Sequence, residues 1–173
     1  MRTYINDYGL KLQEKIARYP ERLKNAQDWG EAVGFKAMPI DKNDENVYRK
    51  LKEFKDKELT NRQMVIKTAI NLYEDLLSEV EADYVELWML IAEAPNEISK
   101  ERLESLQVSE GQLKLYSAEI EKQIQSMKEH LRTITQSKKK IEEAMEQRTV
   151  TMLAPVFEEL QRQARTINNK GKP

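Results

Sequence analysis

Residues 61–94 read NRQMVIKTAINLYEDLLSEVEADYVELWMLIAEA, with no glycine or proline inside and Pro95 just beyond. Apolar residues fall at Ile66, Ile70, Tyr73, Leu77, Val80, Tyr84, Leu87 and Ile91, so the gaps alternate between four and three. That spacing predicts one long helix with a heptad stripe, a face that stays buried only against a partner helix. A second stretch supplies the partner. Ser109-Glu110-Gly111-Gln112 has the form of a capping box and starts a predicted helix running to about Arg148. Its stripe is Ile120, Ile124, Met127, Leu131, Ile134, Lys138, Ile141 and Met145.

Running the two stripes antiparallel, with a positions opposite d positions, gives one alignment. It pairs Ile66 with Met145, Tyr73 with Lys138, Leu77 with Ile134, Tyr84 with Met127 and Ile91 with Ile120. Each stripe then spans about 39 Å at 1.5 Å per residue. Lys138 is the one discordant layer, its stem packing while the ammonium reaches outward or lies over Tyr73. The predicted fold is all-α: an elongated antiparallel coiled-coil hairpin, about 61–94 with 109–148, with extra helices from both termini packing as a bundle.

Working outward, residues 1–29 form one or two amphipathic helices, with Ile5, Leu12, Ile16, Tyr19, Leu23 and Ala26 on one face and Pro20 as kink or restart. Two glycines and Pro39 make 30–43 a linker. The body covers 44–165. It opens with a helix bearing Val47, Leu51 and Phe54, a turn and cap at Leu59-Thr60-Asn61, and a short separate helix at 100–107 near the tip. Residues 166–173 read as a frayed tail.

The chain has 173 residues, 29 Lys+Arg and 30 Asp+Glu, and a formal charge of −1. Residues 61–110 carry 4 basic and 11 acidic groups, residues 111–173 carry 12 and 8, and this opposition favours pairing of the two long helices with each other. Zero cysteines exclude disulfides and thiolate sites, and the single histidine, His130, excludes a site built on two imidazoles. His130 reads as a surface residue beside the stripe. Glu74, Asp75, Glu79, Glu81, Asp83 and Glu86 read as a wet face, because a catalytic carboxylate needs a desolvated pocket. No phosphate-binding glycine loop occurs. No catalytic, cofactor-binding, metal or small-molecule site is predicted, and the chain reads as a non-enzyme.

No apolar run follows the N-terminal charge, and the longest in the chain, Leu87–Ala92, is far shorter than the ~20 residues of a membrane span. A cytoplasmic location, or the host cytoplasm if phage-encoded, is expected, with no membrane partner. At 87–92 the helix is apolar on all sides, so Trp88, Met89 and Leu90 need cover. The nearest candidates are Leu103, Leu106, Leu113, Leu115 and Tyr116; otherwise these residues, with Met152, Val156 and Phe157, form a partner-binding surface. The function expected is that of an assembly or adaptor protein of phage, plasmid or secretion type (a scaffold, chaperone or accessory factor) acting on a protein partner or on further copies of itself.

A second expectation is nucleic-acid binding. Gly34–Ile40 as a short strand, the helix with Val47, Leu51 and Phe54, and the helix Asn61–Tyr73 follow an order similar to the ribbon-helix-helix family over about 40 of 173 residues. The resemblance implies DNA contacts from Lys36, Met38 and Arg62. It departs from the family at Leu59, where the turn usually holds glycine, and at Pro39, which cannot donate in a paired strand.

Overall fold

The computed structural model describes residues 2–31, 45–93, 98–147 and 153–170. Its elements are α1 (Arg2–Glu31), α2 (Val47–Glu53), a π-helical segment (Phe54–Leu59), α3 (Thr60–Glu93), α4 (Lys100–Gln147) and α5 (Ala154–Lys170). The chain is an all-α helical hairpin bundle in which α3 and α4 pack closely. It divides into two compact units, Met1–Ala26 with Asn71–Gln125, and Gln27–Ile70 with Ser126–Pro173. Each long helix contributes one segment to each unit.

Three expected breaks are absent. Pro20 lies inside a continuous α1, so the N-terminal region is one helix. The turn expected at Leu59-Thr60-Asn61 is helical: the Thr60 N–H reaches back to the carbonyls of Lys55 and Lys57, and its hydroxyl also donates to the Lys55 carbonyl at 3.1 Å. A one-residue widening of the helix thus replaces the turn. The separate helix at 100–107 does not exist either; α4 runs unbroken through Ser109 and Gly111. Its cap is Ser99, whose Oγ accepts from the Arg102 N–H at 3.2 Å. The linker expected at 30–43 falls, beyond Glu31, outside the described residues, as does the possible strand at 34–40; α5 carries what was read as tail as far as Lys170.

Starting α4 at Lys100 changes the hairpin's alignment. In the second unit Lys138 Nζ donates to Gln63 Oε1 at 2.9 Å and Thr60 Oγ1 at 3.1 Å, and Gln63 Nε2 donates to Thr135 Oγ1 at 3.1 Å. In the first unit Tyr84 donates to Glu110 Oε1 at 3.4 Å and lies under Lys114 Nζ at 5.7 Å. Lys138 therefore sits at the level of Gln63, not Tyr73, and Tyr84 at the level of Glu110 and Lys114, not Met127. The helices are displaced from the expected alignment by about two heptads, ~21 Å. A short connection between antiparallel helices sets their register, and that connection ends at Ser99 rather than Ser109.

The buried face is also rotated. The d positions Ile66, Tyr73, Val80, Leu87, Ile120, Met127, Ile134 and Ile141 are buried as expected. The a positions Ile70 and Ile124 are buried too, but beside the d positions a further row goes inside, one residue before the a register: Arg62, Ala69, Leu76 and Asp83 on α3, and Ser109, His130, Ser137 and Ala144 on α4, with Leu90 and Gln123 half-buried. Leu77, Tyr84, Ile91, Leu131, Lys138 and Met145 lie half-buried on the flank. A two-stranded seam needs only a and d, whereas a bundle in which a third helix packs on one side buries a wider stripe. In the first unit that helix is α1, through Leu12, Ile16, Tyr19, Leu23 and Ala26. In the second it is α5, through Val156, Phe157 and Leu160, with Phe157 against Phe54 at a centroid distance of 5.3 Å.

Candidate functional site: an outward face of the first unit

The first unit is locked by a carboxylate. Asp83, expected on a wet face, is buried and receives the Tyr19 hydroxyl at 2.5 Å and Lys15 Nζ at 3.1 Å. The Tyr8 hydroxyl donates to the Asp83 carbonyl at 3.4 Å, and Arg22 pairs with Glu79 one turn away. All four donors come from α1. Burial, then the hydrogen bond to Asp83, pushes the Tyr19 phenol well above its ordinary pKa. Tyr19 also stacks edge-on against Tyr116 of α4, ring centroids 5.5 Å apart. Asp83 and Tyr19 thus have structural partners on every side.

On the outward side of α3, Val85, Trp88 and Met89 are 53%, 59% and 48% exposed, and Leu90 is half-buried. Residues three and four apart share a helix face, so these side chains form a contiguous apolar strip. Next to it α1 and α3 bound a groove of about 720 Å³, lined by Tyr8, Ser78, Glu81, Ala82, Val85, Glu86, Met89 and Leu90. A second groove, between α3 and α4, shares Glu81 and Val85 and is lined further by Val80, Tyr84, Leu113, Lys114, Ser117, Ala118 and Glu121.

The expected covers lie elsewhere. Leu106 and Leu113 are buried in the unit, Leu103 and Tyr116 are half-buried, and Leu115 is itself exposed. Trp88, Met89 and Leu90 therefore keep the outward placement that a partner surface requires. Val156 and Phe157 do not: both are buried within the second unit, because α5 supplies its third helix. Met152 lies outside the described residues. The sequence reading missed Tyr8, Glu81, Val85 and Glu86; Val85 carried a signal, as an apolar residue off the stripe at helical spacing from Trp88 and Met89.

The nucleic-acid reading loses its geometry. Its two helices need a turn between them, and the chain is helical without interruption from Val47 through Glu93. Arg62 is 4% exposed, where burial disfavours its charge and Glu58 partly restores it. Lys36 and Met38 lie outside the described residues. His130, expected at the surface, is buried in the second unit.

Among the described residues, no group of three or more His, Asp or Glu is placed to hold a metal ion, and no helix is long and apolar enough to cross a membrane. No protein-family model, no curated protein and no solved structure matches the chain.

Proposed function

We propose that this chain is a non-enzymatic helical assembly or adaptor protein that works through protein–protein contacts on the outward face of its first unit. The reading places it among scaffolds, chaperones and accessory factors acting in a cytoplasm, the host's if the gene is a phage gene. The observation that carries it is the exposed strip Val85, Trp88 and Met89 beside the α1–α3 groove. Contiguous apolar surface of this kind is rare on a monomer without a partner, and tryptophan and methionine are enriched at interface centres. The polar interior supports the same reading, since Asp83 is committed to holding α1 in place and is not left facing a cavity.

The test is site-specific photo-crosslinking in the native cell. A photoreactive residue at position 88 is expected to yield a discrete protein adduct, while the same residue at exposed Lys122 on α4 yields none. Equal labelling at both positions, or none at 88, rejects the reading.

A further inference from the structure

We infer that the α1–α3 groove receives a basic amphipathic helix of a partner protein, an inference that rests on the adaptor reading and names the chemistry of the partner. Three features of the groove point there.

Shape comes first. Apart from Tyr8, every lining residue belongs to α3 between Ser78 and Leu90, and all lie along one side of it. Twelve helical steps make the groove about 18 Å long. That is roughly three turns of a helix laid alongside, with apolar anchors at i, i+3, i+4 and i+7. A channel parallel to a helix axis and open along its length suits an elongated partner better than a compact small molecule, which is held by a concave pocket that surrounds it.

Floor chemistry comes second. Ala82, Val85, Met89 and Leu90 offer an apolar track, and methionine adapts to the shape of an incoming side chain. Trp88, three residues on from Val85, adds a large amphipathic anchor at the edge.

Charge decides the sign. Among the described residues, the groove lining contains two carboxylates, Glu81 and Glu86, and no lysine or arginine. Three neighbouring acids are engaged by the chain itself: Glu79 by Arg22, Asp83 by Lys15 and Glu110 by Lys114. Glu81 and Glu86 form no ion pair or hydrogen bond among the described residues. Two uncompensated carboxylates flanking an apolar track complement lysines or arginines flanking an apolar helix face, and they repel an acidic helix.

The experiment uses the full chain and two labelled synthetic helices about 18 residues long, sharing one leucine face, with polar faces of lysine in one and glutamate in the other. Fluorescence anisotropy is expected to show the lysine peptide binding at least about tenfold tighter at low salt, the preference shrinking as salt screens the pair. The double change Glu81→Lys with Glu86→Lys is expected to invert the preference, because it alters exposed positions and leaves the fold intact. Val85→Ser with Met89→Ser is expected to weaken binding of the lysine peptide by about tenfold or more. Equal binding of both peptides, a preference that survives the charge reversal, or binding of neither overturns the inference. So does sedimentation showing a dimer of this chain that Val85→Ser with Met89→Ser dissolves, since the occupant is then a second copy. If crosslinking at position 88 captures a protein while the peptides show no charge preference, the basic helix is wrong and the adaptor reading stands; if both fail, the face is not a binding surface.

Discussion

The two units solve one packing problem with different materials. Each completes the α3–α4 pair with a third helix that buries an apolar face, but the first unit takes it from the N-terminus and adds a cluster of polar contacts, whereas the second takes it from the C-terminus and holds it through apolar side chains. In the first, Asp83 binds Tyr19 and Lys15 of α1. In the second, Phe157 of α5 meets Phe54, and Lys138 is satisfied by Gln63 and Thr60. The surfaces differ in step. Among the described residues, Val85, Trp88, Met89, Leu10, Val108 and Leu115 are exposed on the first unit, against Trp29 and Met64 on the second. The directional polar lock adds to the apolar face that α1 buries and fixes where that helix sits. It leaves apolar side chains such as Val85 and Met89 available for another molecule.

Substitutions that target one unit at a time break this comparison. Phe157→Ala in the second unit is expected to cost about 3–5 kcal/mol, because the ring leaves a cavity that a packed core cannot close; urea unfolding measures it. Asp83→Ala in the first unit is expected to cost about 2–3 kcal/mol, since it strands a buried tyrosine hydroxyl and removes a charge-assisted bond. A double-mutant cycle with Tyr19→Phe should then show strong coupling. Additive single changes would mean that the lock is not a unit.

The alkaline limb of the stability curve sharpens the same point. The folded state raises the pKa of Tyr19, so its contribution is fully present below the unfolded value of about 10 and is lost as pH rises beyond it. Tyr19→Phe is expected to flatten the decline above about pH 10 in denaturation monitored by circular dichroism. The smallest effect tests the continuity of α4. A β-carbon at Gly111 meets nothing within 4 Å, so Gly111→Ala is expected to stabilise by about 0.5–1 kcal/mol as a helix-interior change. A neutral result would restore the cap once expected at Ser109.

Heptad spacing was enough to identify two long helices, their antiparallel pairing and the buried d positions, because periodicity is a property of each segment alone. The misreadings have two causes. The partner helix was started at the capping box of Ser109, whereas α4 begins at Lys100 behind Ser99, and the earlier start moves the register by about two heptads. Arg62, Asp83, Ser109 and His130 were read as surface or cap positions because they are polar and sit beside the stripe. All four are buried, and all four occupy the position preceding the a register, which the third helix turns inward. The outward strip was half legible: Trp88, Met89 and Leu90 declared themselves by excess apolarity, whereas Glu81, Val85 and Glu86 became a site only once α1 formed the opposite wall.

What the amino-acid sequence determined unaided was the helical class, the two long helices and their amphipathic period, since helix propensity and 3.5-residue spacing act within one segment. The tertiary structure decided the alignment of the hairpin, the rotation of its buried face and which apolar residues stay outside. Those depend on where a connection ends and which side a third helix covers, and both are settled by contacts between residues far apart in the chain.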